Sequence, residues 1–192
     1  MRRTRFEHAY VLNVMATDHP GIIAAVGDAV RSLSGNIDAC SQTVLEGCFT
    51  LIMIVSLPEP IDPDALADKV REWGLGQQVM ARTFEPPPDA QPGGPGRFVI
   101  TAFGDDKPGI IHRFCQYLAG KDINIVDLYG DRSGDRFMLI SEVEIPSRWE
   151  IGMLQADLEQ IGLEEGFTVR LQHEDIFVAT NQLRLTRREA GC

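Results

Sequence analysis

No apolar run in the 192 residues approaches the roughly 18 needed for a membrane-crossing helix, and none resembles a signal-peptide core. Basic residues are scarce: 18 Lys and Arg stand against 28 Asp and Glu, a net charge of −10. Up to residue 88, 7 basic residues face 11 acidic ones (net −4); beyond it 11 face 17 (net −6). A phosphate backbone is bound by stripes of Lys and Arg, so direct binding to nucleic acid is disfavoured. The short basic start, Arg2, Arg3 and Arg5, has no apolar segment behind it and reads as a loose terminus. Cysteine is sparse as well. Cys40, Cys48, Cys115 and Cys192 show no CxxC spacing, and read as small buried hydrophobes of a reducing, cytoplasmic compartment. The four histidines, His8, His19, His112 and His173, lack the spacing of metal ligands on a helix. No glycine-rich phosphate cradle, nucleophile elbow or kinase signature occurs, so neither metal nor cofactor is expected.

What is present is a repeat. Asp18-His19-Pro20-Gly21-Ile22-Ile23 returns as Asp106-Lys107-Pro108-Gly109-Ile110-Ile111, an offset of 88. The same offset carries Asn36-Ile37 onto Asn124-Ile125, Phe49 onto Phe137, Leu51-Ile52 onto Leu139-Ile140 and Arg82 onto Arg170, with no gap from Val11/Val99 onward. This is a tandem duplication of one domain; two long copies are not a solenoid. Copies of roughly 75–80 residues lie near the lower limit of a self-sufficient core, so each is expected to pack on the other or on another chain.

In the first copy, residues 10–16 are a β-rich apolar run and read as a strand. Pro20 and Gly21 punctuate a loop, with Asp18 as a candidate helix cap. Ile22, Ile23, Val26, Ala29, Val30 and Leu33 recur at helical spacing until Ser34-Gly35-Asn36 ends the helix. Residues 37–45 and 48–57 form two strands around a tight Glu46-Gly47 turn. Asp62-Pro63 caps a second helix carrying Leu66, Val70 and Trp73, and residues 77–84 are the fourth strand. The second copy repeats the order, with strands at 98–103, 125–130, 136–145 and 168–173 and helices at 110–121 and 147–161, the latter capped by Ser147. The tail from Glu174, with Ile176, Phe177 and Leu183, is amphipathic at first and is expected to form a short docked helix. Strand, helix, strand, strand, helix, strand is the split βαβ arrangement: an α+β fold of two tandem ferredoxin-like units, each a four-stranded antiparallel sheet with two helices on one face. The expected boundaries are 8–84 and 97–177 for the domains, 85–96 for a Pro/Gly linker and 178–192 for the tail.

The third strand of copy one places Phe49, Leu51, Met53 and Val55 on one face and Ile52 and Ile54 on the other, where copy two has Glu142 at the position of Ile54. A half-covered sheet shows polar residues on its open side, so the second face of copy one is expected to be covered.

The first loop is the place where ligand chemistry can gather. A helix start leaves N–H groups unpaired and carries partial positive charge, and Gly21 or Gly109 admits a ligand close to that backbone. A carboxylate fits there, Asp18 or Asp106 can receive an ammonium, and the amide of Asn36 or Asn124 both donates and accepts. The same residues serve equally as helix cap, turn and helix stop. Asp105-Asp106 and Glu164-Glu165 read as solvated turns.

With D-x-P-G-I-I after the first strand, N-I opening the second and F-x-L-I-x-x-V in the third, each copy resembles an ACT domain. The pair is similar to the tandem-ACT proteins of the glycine cleavage system transcriptional repressor type. The resemblance implies a non-enzymatic regulatory protein that binds an amino acid or similar metabolite at ACT domain interfaces and acts through a partner protein or homo-oligomer, touching glycine and one-carbon genes indirectly. It implies ligand contacts at Asp18, His19, Pro20, Gly21, Ile22 and Asn36, and at Asp106, Lys107, Pro108, Gly109, Ile110 and Asn124. Other readings stand beside it. A ligand-independent interaction module is the main rival. An acylphosphatase-type enzyme wants Arg in the first loop, where this chain has His19 and Lys107; RNA binding wants exposed aromatics on a basic sheet; a metal chaperone wants CxxC in the first loop.

Overall fold

The apolar run at residues 10–16 lies inside β1, His8–Thr17, whose even-numbered side chains Tyr10, Leu12 and Val14 are buried. A computed structural model of the chain describes residues 4–75, 78–86 and 96–178. It divides into two compact units, Met1–Asp89 and Ala90–Cys192, hereafter units 1 and 2. In unit 1, β1 is followed by α1 (Ile22–Ser32), β2 (Asn36–Leu45), β3 (Cys48–Leu57), α2 (Pro63–Val70) and β4 (Gln78–Thr83). Unit 2 repeats this as β5 (Gly96–Asp105), α3 (Ile110–Gly120), β6 (Asn124–Ser133), β7 (Arg136–Ile145), α4 (Ile151–Glu165) and β8 (Phe167–His173). The sheet orders are β2-β3-β1-β4 and β6-β7-β5-β8, every pairing antiparallel. Both copies even keep the same bulge, between Ile37 and Ala39 in β2 and between Ile125 and Asp127 in β6.

Each core lies between the sheet and its helices. In unit 1, Ile22, Val26, Ala29 and Val30 of α1 and Leu66 and Val70 of α2 meet Phe49, Leu51, Met53 and Val55 of β3. The 3.6 and 2.0 periodicities point these residues at one another. The β2–β3 turn holds Glu46 at φ 49° and Gly47 at φ 77°, the paired positive values of a type I′ hairpin. Asp62 caps α2 as expected, its side chain accepting from the Asp64 and Ala65 N–H groups, with Pro63 in the first turn.

Several expectations fail for reasons of packing. Ser147 does not cap α4. The Trp149 N–H closes a turn on the Pro146 carbonyl, its indole N–H donates 2.8 Å to the Lys121 carbonyl, and the helix starts only at Ile151. Trp73 leaves the core stripe because a π-helical stretch, Arg71–Leu75, shifts the phase after Val70; it is 43% exposed. Cys40 and Cys48 are exposed rather than buried, and Cys115 is half-buried. Cys40 lies on an edge strand and Cys48 at a hairpin end. They are also far apart along the ladder, since Cys40 pairs with Met53 and Cys48 with Leu45. Ile52 is 46% exposed, so the described residues do not cover it. Residues 174–178 are helical, while Gln77, most of the expected linker, Leu183 and Cys192 lie outside the described residues. No helix among the described residues is long and apolar enough to cross a membrane.

Candidate functional site

The loop of unit 1 is anchored at both ends. The Asp18 N–H donates 2.8 Å to the Gly47 carbonyl, tying the loop to the hairpin tip, and the ladder of α1 opens with the Ala25 N–H on the Gly21 carbonyl at 2.9 Å. Gly21 itself occupies the cap position at φ 100°, so Asp18 is not the cap. Pro20 and the left-handed Gly21 turn the chain into the helix and leave the Asp18 carboxylate short of it. With no side-chain cap, the N–H groups of Ile22, Ile23 and Ala24 precede the ladder. A Cβ on Gly21 would meet nothing within 4 Å, so the space above the glycine is open. That space is a concavity of about 320 Å³ whose wall includes Asp18, His19, Pro20, Gly21, Ile22, Gln42 and Phe49. Gln42 and Phe49 are additions that loop chemistry alone does not suggest; β2 and β3 deliver them.

Unit 2 shapes the same loop differently. Gly109 sits at φ 89° as an uncapped start of α3, and the Asp106 N–H donates to the Asp135 carbonyl at 2.9 Å. The Asp106 carboxylate, however, is held by Arg132 at 3.2 Å, and Arg136 lies 3.6 Å from Asp105. Unit 1 has Val44 and Cys48 where these arginines stand. Lys107 extends toward Gly166, its Nζ about 3.5 Å from where a Cβ would be. Pro108 and Ile110 complete the turn, with Ile110 buried.

The asparagines are not at the loops. Asn36 pairs with Ser56, which pairs with Ala9, so Asn36 lies beside the start of β1 while the loop follows its end. Nine residues of strand separate them, roughly 30 Å. Within one unit, a molecule of amino-acid size cannot touch both. Asn36 Nδ2 donates 2.8 Å to Asp38 Oδ1, which also accepts the Arg5 N–H at 2.9 Å; Asp38 Oδ2 is buried with no hydrogen-bond partner. Asn124, exposed, donates from Nδ2 to Glu144 at 3.4 Å.

A larger concavity, about 540 Å³, opens on the helix face of unit 2 among Arg113, Gln116, Tyr117, Asp157, Gln160 and Glu164. The Tyr117 hydroxyl donates 2.9 Å to Asp157, and burial, then that bond and the Asp157 charge, push the phenol well above its ordinary value. Hydrogen bonds from Gln160 and Arg113 hold the Glu164 carboxyl below the usual range. These charged groups partner one another, which leaves the loops as the stronger candidate. Among the described residues no group of His, Cys, Asp and Glu is placed to hold a metal.

Comparison with known proteins agrees with this architecture. The ACT domain family model matches residues 8–82 and 96–172. A UPF0237 protein of Methanococcus maripaludis is 39% identical over 80 residues, covering 41% of this chain and 89% of that protein. A UPF0237 protein of Corynebacterium diphtheriae is 43% identical over 79 residues, 38% of this chain and 89% of that protein. Both relatives are thus close to one unit long. Among solved structures, an unknown protein from Galdieria sulphuraria superposes with a TM-score of 0.74 at 23% identity, covering 86% of this chain and 98% of that one. A candidate glycine cleavage system transcriptional repressor superposes at 0.61 and 19% identity, covering 87% and 98%. At such identities the likeness is one of fold. Two family matches in series, on two βαββαβ units, establish that the chain belongs to the ACT domain family as a tandem of two such domains.

Proposed function

We propose that this protein is a non-enzymatic regulatory module that binds a free amino acid, or a metabolite of the same size and charge, at the first loop of its ACT units. The observation that carries the reading is the open concavity of about 320 Å³ over Gly21 and the uncapped start of α1. The ligand carboxylate accepts from the Ile22, Ile23 and Ala24 N–H groups, its ammonium faces Asp18, and its side chain lies toward Phe49, with His19 and Pro20 at the rim. Unit 1 is the better receptor, because Arg132 already occupies Asp106 in unit 2. Asn36 and Asn124, at the far end of their sheets from the loop, lie outside this site. Binding passes to a partner protein through differential affinity for two states. The fold likeness to a glycine cleavage repressor makes glycine and one-carbon metabolism the first route to examine, reached indirectly because the chain is acidic.

A thermal-shift screen against the twenty amino acids, glycine and serine included, tests this. A ligand at about 100 times its Kd adds about 2.7 kcal/mol of stability. Gly21→Val sets a β-branched residue at φ 100° and should abolish the shift while the circular dichroism stays that of a folded protein. Unchanged affinity in both Gly21→Val and Gly109→Val would sink the site assignment.

A further inference from the structure

Each sheet turns one face to its helices and the other away. On the outward face of unit 1, Leu45, Ile52, Met15 and Met80, one from each of β2, β3, β1 and β4, are 46–64% exposed. Ile52 and Met80 flank Asn13 in a single row, because Asn13 pairs with both. Met15 stands in the next row toward the loop and Leu45, opposite Cys48, in the one beyond. Over the four rows from Ile54 to Cys48 this face bears one charge, Arg82, and no acidic residue. Unit 2 fills the matching positions with Asp105, Asp127, Asp131 and Glu142, where unit 1 has Thr17, Ala39, Thr43 and Ile54. Arg97 and Arg136 pair with Glu142 and Asp105 there.

We propose that the outward sheet face of unit 1 is the surface through which two copies of this chain associate about a two-fold axis. A two-fold axis brings one patch against itself, so a patch of a single charge sign meets its own like charge. Copies that each carry −10 meet with least repulsion through a surface free of acid, and these four rows carry none. Arg82, on an edge strand, lies away from an axis through the centre of the sheet. Four strands about 4.8 Å apart and about eight residues long span roughly 500 Å² per copy, or roughly 1,000 Å² in the pair, which meets the lower bound for specific association. The dimer is therefore reversible, and it tightens as salt screens the repulsion between the two acidic bodies.

Sedimentation equilibrium of the full chain over a range of concentrations, at low and high salt, is the test. The weight-average mass should rise from 21.3 kDa toward twice that value, and rise sooner at high salt. Ile52→Lys and Met80→Glu, both at exposed positions, should each weaken association more than about tenfold by burying an unpaired charge, with the circular dichroism still that of a folded protein. Tyr129→Lys, on the outward face of unit 2, should leave it intact. A monomer at every concentration, a dimer that loosens with salt, or one that survives both variants overturns the proposal.

Discussion

Val26 and Ala29 of unit 1 stand where unit 2 has Phe114 and Tyr117, while Val14, Ala16 and Met53 give way to Ala102, Gly104 and Ser141. Side-chain volume has moved from the sheet to the first helix without changing strand order, while the last strand has slipped by two residues. Val79 faces Val14, but Val169 rather than Phe167 faces its counterpart Ala102, so the 88-residue offset ends before Arg82 and Arg170. Gly104 shows why the trade is coupled: a Cβ there would lie 2.4 Å from the Gly166 carbonyl oxygen and 2.8 Å from Phe167 Cγ. Phe167 meets Phe114 and Phe137 edge-on, with ring centroids 6.3 and 6.4 Å apart. One backbone thus accepts two fillings, provided total volume and patterning are kept. The surfaces diverged further than the cores. Unit 1 has an open loop and a sheet face free of acid over four rows, whereas unit 2 has a loop latched by Arg132 and an ion-paired face.

The sharpest test of that contrast lies in the cores. Phe114→Ala should destabilise unit 2 by about 4 kcal/mol and Val26→Ala should cost unit 1 about 2, because the larger deletion leaves the larger cavity. Hydrogen exchange at β7 and β3 amides reads the two units separately; equal losses would break the contrast. Next comes Tyr10, whose hydroxyl both donates to the Ile61 carbonyl and accepts from its N–H, each at 2.9 Å. Tyr10→Phe should cost about 2 kcal/mol by stranding those groups. Phe98→Tyr, the reverse change in unit 2, should gain nothing, since the Trp149 N–H already donates to Pro146. Urea unfolding of both variants decides.

The smallest effect is pH-dependent. A phenol whose pKa is raised on folding contributes stability that is present below its unfolded value of about 10 and is lost as pH rises toward the folded one. Tyr117 is such a group, and Ala29 in unit 1 is not titratable. Tyr117→Phe should cost about 1 kcal/mol near pH 8 and flatten the loss between pH 10 and 11. An unaltered alkaline slope would remove Tyr117 from the account.

Much of the fold was legible because its signals are local or repeated. The 3.6 periodicity beginning at Ile22 and Ile110, the Asp62-Pro63 cap and the Glu46-Gly47 turn are written within a few residues of one another. So is the loop: the duplicated D-x-P-G-I-I marked a place in unit 1 where the start of a helix opens onto a concavity. The capping roles of Asp18 and Ser147 were misread because a cap candidate looks the same whether or not the helix begins beside it. Gly21 takes the cap position of α1, and the turn at Trp149 delays α4 to Ile151.

By itself the sequence determined that there are two ACT units, which faces of their helices and strands turn inward, and which loop residues carry ligand-like chemistry, because periodicity and an ungapped repeat need no long-range knowledge. Only the tertiary structure decided what stands beside what. Antiparallel pairing sends Asn36 to the far end of the sheet from Gly21 and brings Gln42 and Phe49 to the loop instead. The same pairing puts Arg132 on Asp106 and assembles Met15, Leu45, Ile52 and Met80 into one face. Residues distant in sequence become neighbours only once hydrogen-bond register fixes the strands, and that register is set by the whole sheet.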